Sequence, residues 1–360
     1  MSGKDGMNYA PEGKPAPVVK EGEFLFAAAF LDHGHIYGMC NGLIEAGGTL
    51  RYVYDRDPAR AEAFAKRFPG VTIIDCFERL LEDPSIHLVA AAAIPNERGP
   101  IGCQVMRAGK DYFTDKTPFT GLDQLEEARA TAAATGRKYM VYYGERLHVE
   151  SAIYAGELIK RGAIGKVVEV IGFGPHRVGD PASRPDWFYE KEKYGGILCD
   201  IASHQFEQFL FFSGAKDAEI LSSTVANRQH PQFPELEDFG EAHLLGDNGV
   251  TQFVRVDWLT PAASRVWGDG RMFILGTEGY IELRKYVNIG FPDEEATRDH
   301  LFLVNNETEQ YINVAGKVGY PFFGELILDC LNRTENAMTQ AHAFKAAELC
   351  LLAQQKARVI

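Results

Sequence analysis

Asp200 and His204 stand four residues apart in Gly195-Gly196-Ile197-Leu198-Cys199-Asp200-Ile201-Ala202-Ser203-His204-Gln205-Phe206. That spacing sets both on one face of a helix. A carboxylate so placed orients an imidazole and stabilises its charged form, which makes a tuned acid or base. The same spacing could hold a metal with Glu207 as a third group, but that ligand set is incomplete and no metal is assigned. Lys116 lies in Thr114-Asp115-Lys116-Thr117-Pro118, at the end of an apolar run. Partial desolvation there lowers an ammonium pKa toward a useful range. Each also has a plainer reading: a satisfied Asp/His pair, and a solvated loop lysine.

A dinucleotide site would show glycines after the first strand of a strand–helix pattern. Here the turn reads Ala29-Phe30-Leu31-Asp32-His33-Gly34-His35-Ile36-Tyr37-Gly38. Gly34 supplies one glycine. The first two positions hold Ala29 and Leu31 or, in the other register, Phe30 and Asp32. His33, Gly34 and His35 are thus the turn residues expected against a cofactor. Asp55, 21 residues after Gly34, ends the next strand in Val53-Tyr54-Asp55-Arg56-Asp57. A carboxylate there accepts from ribose hydroxyls and repels a 2′-phosphate, which favours NAD over NADP. Arg56 works the other way, because an Arg at that place can take the 2′-phosphate. Asp57, before Pro58, reads better as a helix N-cap. Ile94-Pro95-Asn96 and Asp115-Lys116 close two further strands and belong on the same edge.

The elements that must position these residues fall into two patterns. From Phe24 to about residue 145, short uncharged strands (FLFAAAFL, TLRYVYD, VTIID, HLVAAAAI, DYFTD, KYMVYY) alternate with amphipathic helices. The helices include about Ile36 to Ala46, PARAEAFAKRF, CFERLLED, PIGCQVMRAG and LDQLEEARATAAATG. That is an α/β domain, a doubly wound parallel sheet covered on both faces. After about residue 166 the period changes to alternating strands joined by turns such as GDNG and GTEG. Helices are few there: Ser151 to Arg161, Asp200 to Phe212, Tyr320 to Arg333 and Gln340 to Ala357. This predicts an α+β domain on an open, mainly antiparallel sheet. The organisation expected is an arm at 1–23, a Rossmann domain at 24–145 and a substrate-binding and oligomerisation domain at 146–360, with a ligand cleft between the two domains. The open sheet needs a cover, which predicts a homodimer or homotetramer through that face, with the proline-rich arm placed to reach the partner.

The chain resembles the Gfo/Idh/MocA oxidoreductase family, the glucose–fructose oxidoreductase and inositol dehydrogenase group. Asp115-Lys116-Thr117-Pro118 is similar to the family's Glu-Lys-Pro with one inserted Thr. Gly195-Gly196 through Asp200 and His204 matches Gly-Gly-x-x-x-Asp-x-x-x-His, and Ala93-Ile94-Pro95-Asn96 matches Ala-x-Pro-Asn. Gly162 to Val167 looks like the family's entry into its second domain. The resemblance runs from about residue 24 to the C-terminus, and the glycine turn departs from it. It implies an active site of Lys116, Asp200 and His204. His204 would be the base, Asp200 would orient it, and Lys116 would steady a developing alkoxide. NAD would accept the hydride from a sugar, cyclitol or related polyol. Arg146, His176, Arg177, Trp187, Tyr189 and Tyr320 are the candidate contacts of such a polyhydroxylated substrate.

Composition narrows the alternatives. The 360 residues are 46% hydrophobic and 24% charged, with 50 acidic against 37 basic side chains and a net charge of −13. That is ordinary globular composition, and the field disfavours nucleic acid and anionic lipid. No apolar run approaches the roughly 20 residues of a membrane span, and the first 23 residues lack the apolar stretch of a secretory signal. A cytoplasmic location is the expectation. The six cysteines lie far apart without a metal or disulfide spacing, and read as small buried hydrophobes. Two other functions fit the same features. One is glycoside cleavage or epimerisation by transient oxidation on bound NAD. The other is a non-enzymatic cofactor or sugar sensor.

Overall fold

The computed structural model describes residues 5–291 and 298–360. The chain forms two compact units. One consists of Met7–Tyr142 and Tyr320–Phe344; the other takes the chain end up to Gly6, Tyr143–Gly319 and Lys345–Ile360.

In the first unit, β1 (Leu25–Ala29), β2 (Thr49–Tyr54), β3 (Thr72–Ile73), β4 (Leu88–Ala91), β5 (Asp111–Asp115) and β6 (Tyr139–Tyr142) form one sheet in the order β3-β2-β1-β4-β5-β6. Every pairing in it is parallel. β4 and β5 are buried at every position; LVAA in β4 accordingly runs apolar instead of alternating, whereas β5 (DYFTD) buries Asp111 and Asp115 at its two ends. Strand order reverses between β1 and β4, the topological switch point at which such sheets bind ligands. Asp57 caps the helix Pro58–Arg67 by accepting from the Ala59 amide at 2.9 Å, with Pro58 in its first turn.

The helix after β4 begins at Pro95, five residues before the expected segment, and runs to Arg107 with Pro100 inside it. Pro100 has no amide to offer the Asn96 carbonyl. The Gln124 side chain takes that carbonyl instead, at 2.9 Å, so the helix survives its proline. The proline-rich segment before Phe24 lies along the helix His35–Glu45 of its own unit. The Asn41 amide side chain donates to the Pro11 carbonyl, the Gly13 amide donates to Glu45 Oε1 at 2.8 Å, and the amides of Ala16 and Val18 donate to the last carbonyls of that turn.

The second unit is built on β7 (Val167–Pro175), β8 (Ala218–Ala226), β9 (Phe239–Gly246), β10 (Thr251–Asp257), β11 (Arg271–Gly276), β12 (Gly279–Arg284), β13 (His300–Asn305), β14 (Glu309–Asn313) and β15 (Arg358–Val359). Their order is β14-β13-β12-β11-β7-β10-β9-β8-β15. Only the β7–β10 and β8–β15 pairs are parallel; the others are antiparallel. One face carries Val170, Val254, Ile274, Ile281 and Leu283, all buried. The helix Ser203–Ser213 lies on that face, and Gly172 and Gly174 leave room there for Gln205. The other face alternates to half-buried side chains, and among the described residues no helix lies across it. Among the described residues, no helix is long and apolar enough to cross a membrane.

Candidate active-site residues

The carboxyl edge of the first sheet holds most of the expected cofactor residues. Phe30 occupies the left-handed region at φ 54°, a conformation that costs a glycine nothing and a phenylalanine something. The Leu31 amide that follows donates to Asp55 Oδ2 at 2.6 Å, and the Asp57 amide donates to Asp55 Oδ1 at 2.7 Å. The Arg60 guanidinium sits 3.0 Å from Asp55 Oδ1 and 2.5 Å from Asp32. Asp55 is therefore fixed to the turn it faces, with two of roughly four acceptor positions taken by amides and the Arg60 charge beside it. Arg56 is held by Glu97 at 2.7 Å and lies over the Phe30 ring.

His33, His35 and Asp115 converge beside this turn. His35 Nδ1 is 3.0 Å from Asp115 Oδ1 and His33 Nδ1 is 3.4 Å from Asp115 Oδ2. The His35 amide donates to His33 Nδ1 at 3.2 Å. Asp115 is fully buried, and the Arg98 guanidinium meets its Oδ2 at 3.2 Å. Burial alone would raise the Asp115 pKa; the neighbouring His35, the Arg98 guanidinium and, less, His33 outweigh it and hold the carboxyl well below its usual range. Burial, then the neighbouring His35, pushes the His33 pKa well below its ordinary value, so that ring is kept neutral. The Lys116 amide donates to Asp115 Oδ1 at 2.8 Å, and Arg98 donates to the Lys116, Thr117 and Ala93 carbonyls. Lys116 is only 5% exposed, a strand-end lysine drawn into the protein instead of into solvent. Ile94 precedes the helix that begins at Pro95 and Asn96. Gly34 is also close to the N-terminal segment: a Cβ there would fall 2.5 Å from the Met7 carbonyl oxygen and from Asn8 Oδ1.

In the second unit, Gly195 and Gly196 both take positive φ, at 88° and 90°. A side chain at Gly196 would also strike Gln354. The single helix expected from Asp200 to Phe212 is two. Asp200 ends the short helix Ile197–Asp200, and His204 lies in the first turn of Ser203–Ser213. The break is local. The Ser203 hydroxyl donates to the Asp200 carbonyl at 2.8 Å, and the His204 amide turns to the Ile201 carbonyl, three residues back. His204 is buried, and Asp200 is half-buried.

The expected substrate contacts are spread over both units. Arg146 forms a buried double contact with Glu207, Nε at 2.8 Å and Nη2 at 2.5 Å from Oε1, above the Phe211 ring. Glu207 is thereby spent on an arginine. Arg177 donates to the carbonyls of Pro261, Ser264 and Val266 and so fastens that loop. His176 packs against Trp267 and Trp258. Trp187 is buried, and Tyr189 stacks on Phe233 with its hydroxyl on the Pro181 carbonyl. Tyr320 belongs to the first unit, where its ring lies beside Gly13.

Two charged residues in these surroundings carry no sequence signal. Arg98 is an ordinary helix residue by pattern, and its role appears only when β5 is laid beside its helix. Arg184 stacks on Phe188 and Trp258; burial lowers its pKa, and Asp5, Tyr189 and Asp200 act against that.

The fold and these residues define an oxidoreductase architecture, and the comparisons agree. The family model for the oxidoreductase family with an NAD-binding Rossmann fold matches residues 27–143, and that for the GFO/IDH/MocA C-terminal domain matches residues 153–282. Together they cover more than half of the chain, which belongs to the Gfo/Idh/MocA oxidoreductase family. A crystal structure of a protein from Erwinia carotovora atroseptica is 50% identical, with a TM-score of 0.90 over 94% of this chain and 100% of that one. Levoglucosan dehydrogenase of Pseudarthrobacter phenanthrenivorans is 27% identical over 49% of this chain and 46% of its own length. D-xylose dehydrogenase of Paenarthrobacter nicotinovorans is 24% identical over 41% of this chain and 39% of its own length. The match thus spans less than half the length of these two curated relatives.

Proposed function

We propose that the protein is an NAD-dependent oxidoreductase acting on a CH–OH group of a sugar, cyclitol or related polyol. The observation that carries this reading is Lys116, buried at the carboxyl end of β5 on the ligand edge of an NAD-binding-family sheet. The dinucleotide fits this chain unevenly. Asp55 at the end of β2 keeps acceptor positions for a ribose hydroxyl beyond the two its amide partners take, and Ile94 to Asn96 and Lys116 close the neighbouring strands. Of the glycine cradle Gly34 remains, and its first two glycines are replaced by Ala29 and Leu31 or, in the other register, by Phe30 and Asp32. We assign the adenosine ribose to Asp55, and hence NAD over NADP. The nicotinamide supplies hydride acceptance when bound.

The chain's own residues supply the rest. His204 is assigned as the base that removes the hydroxyl proton, with Asp200 stabilising the resulting imidazolium. Lys116 places a positive charge beside the alkoxide. A positioned base is worth about 10²- to 10⁴-fold in rate. His204→Ala should lower kcat by roughly that range and leave cofactor affinity little changed. Asp200→Asn should cost less, because the base remains.

The test is a panel of sugars, sugar acids and cyclitols with NAD and with NADP, read by absorbance of the reduced nicotinamide. Product formed without reduced cofactor would move the reading to transient-oxidation chemistry. Sugar binding with no turnover of any panel member would move it to a sensor. Tighter NADP than NAD would overturn the role of Asp55. The cytoplasm is the compartment we propose, since six free cysteines, five of them buried, suit a reducing milieu; recovery in a secreted fraction would refute it.

A further inference from the structure

We propose that His33, His35 and Asp115 form a binding site for a divalent transition-metal ion, zinc by its donor set. The two imidazoles come from the turn between β1 and the helix His35–Glu45, and the carboxylate from the end of β5. One ligand atom from each lies within 4.8 Å of the other two. Zinc bonds to imidazole nitrogen and carboxylate oxygen are about 2.0–2.2 Å long, which makes the edge of a tetrahedral site about 3.3–3.5 Å. The His35 Nδ1 to Asp115 Oδ1 and His33 Nδ1 to Asp115 Oδ2 separations, 3.0 and 3.4 Å, lie near that edge, with one imidazole on each carboxylate oxygen. Two imidazoles with one carboxylate suit zinc, and equally the iron(II) type of site with three protein donors on one side. Three donors leave a further position for water or a substrate oxygen.

The surroundings hold the donors in place. Asp115 is anchored by the Lys116 amide and by Arg98, the kind of outer contact that fixes a metal-binding carboxylate. Arg98 also carries a positive charge into the site, so the affinity should lie below that of an unopposed two-histidine, one-carboxylate set. The His35 amide now donates to His33 Nδ1, and that hydrogen bond is given up when a metal takes the nitrogen. His33 and His35 flank Gly34 in the turn whose first two glycine positions are replaced.

His33 and His35 lie in the turn expected against the cofactor, so the readout is metal content, which holds or fails independently of turnover with NAD. The full chain, stripped with chelator and re-equilibrated with zinc alone, should retain about one zinc per chain by elemental analysis. Cobalt(II) in its place should give the visible absorption of a low-coordinate site. Zinc should raise the Tm of the unsubstituted protein. His33→Gln and His35→Gln should each lose at least tenfold in zinc affinity and lose the zinc-dependent Tm rise. If zinc neither binds stoichiometrically nor moves the Tm, or if both variants bind it as the wild type does, the site is only a hydrogen-bonded His–Asp cluster and the proposal falls.

Discussion

Asp299 Oδ1 accepts both the amide of Ser151, at 2.9 Å, and its hydroxyl, at 3.0 Å, across 148 residues of chain. The contact fastens the start of the helix Glu150–Lys160 to the loop before β13. Burial raises the Asp299 pKa to about 6, against the Ser151 hydrogen bonds and Arg298, which lower it, and with Glu150, which adds to the rise. A carboxyl raised in the folded state stabilises the fold below its unfolded pKa of 3.8 and loses that contribution as pH climbs through about 6. Ionised Asp299 therefore costs the protein on the order of 2–3 kcal/mol at pH 8.

Asp299→Asn removes that cost while keeping an oxygen for Ser151. Asn also accepts the φ of 58° at this position. The variant should match the wild type in urea unfolding near pH 4 and exceed it above pH 6. A difference that does not change with pH would show that the charge is not the cause.

Buried charges also separate a structural role from a substrate role at Arg146. Glu207 is fully buried and its partner guanidinium nearly so. Arg146→Ala leaves an uncompensated carboxylate, a change that costs about 3–5 kcal/mol. Arg146→Met with Glu207→Leu removes both charges and should recover most of that loss. If Arg146 also contacts substrate, the double variant will be stable but show a raised KM. Stability lost equally in the single and double variants would refute the ion-pair account.

The parallel sheet was legible because short, largely uncharged strands alternate with periodic helices; the order of its strands was not, since it depends on pairings between distant segments. The second sheet was legible at its hairpins, where GTEG and GDNG stand between alternating runs. The break after Asp200 was not, since it turns on a Ser203 hydroxyl that competes with the helix ladder. The extension of the next-to-switch helix back to Pro95 was hidden for a similar reason: a glutamine 28 residues downstream of Asn96 satisfies the carbonyl that Pro100 leaves bare. Among the candidate site residues, the histidine pair was visible in the turn as two letters. Its convergence on Asp115 was not, because 80 residues separate His35 from that carboxylate. Asp55 shows the limit of motif reading most clearly: the strand-end position was legible, but its bonds to Leu31 and Arg60 depend on how the turn folds.

The seat of the N-terminal segment rests on Gly34. Its φ of −65° is open to any residue, so alanine there meets no backbone strain, only Met7 and Asn8. Gly34→Ala should lift the segment from the turn with the fold intact. Trypsin should then cut after Lys20 faster than in the wild type, while Tm falls by only a few degrees. Unchanged cleavage would mean that the segment is held elsewhere, by Asn41 and Glu45.

The open face of the second sheet carries a continuous cross-strand row. Phe253 pairs with Ile171, Ile171 with Phe273, Phe273 with Glu282, Glu282 with Phe302, and Phe302 with Tyr311. In β7, β10, β11, β12 and β13 the residues on either side in sequence are the buried ones, which puts the row on the uncovered side, and Tyr311 joins it through its pairing with Phe302. Phe273 and Tyr280 stack on it, and Arg284 covers Phe302 while reaching Glu282 at 2.7 Å. An apolar row of this length on an uncovered sheet is the kind of surface that pairs with a partner. A second copy presenting the same row about a two-fold axis is the partner expected there. Light scattering at micromolar concentration should return at least twice the 39.9 kDa chain mass. Phe273→Glu places a charge in the middle of the row and should return the chain mass alone, with cooperative unfolding retained. A wild type already at the chain mass would refute the dimer. A Phe273→Glu protein still at twice that mass would move the interface off this face.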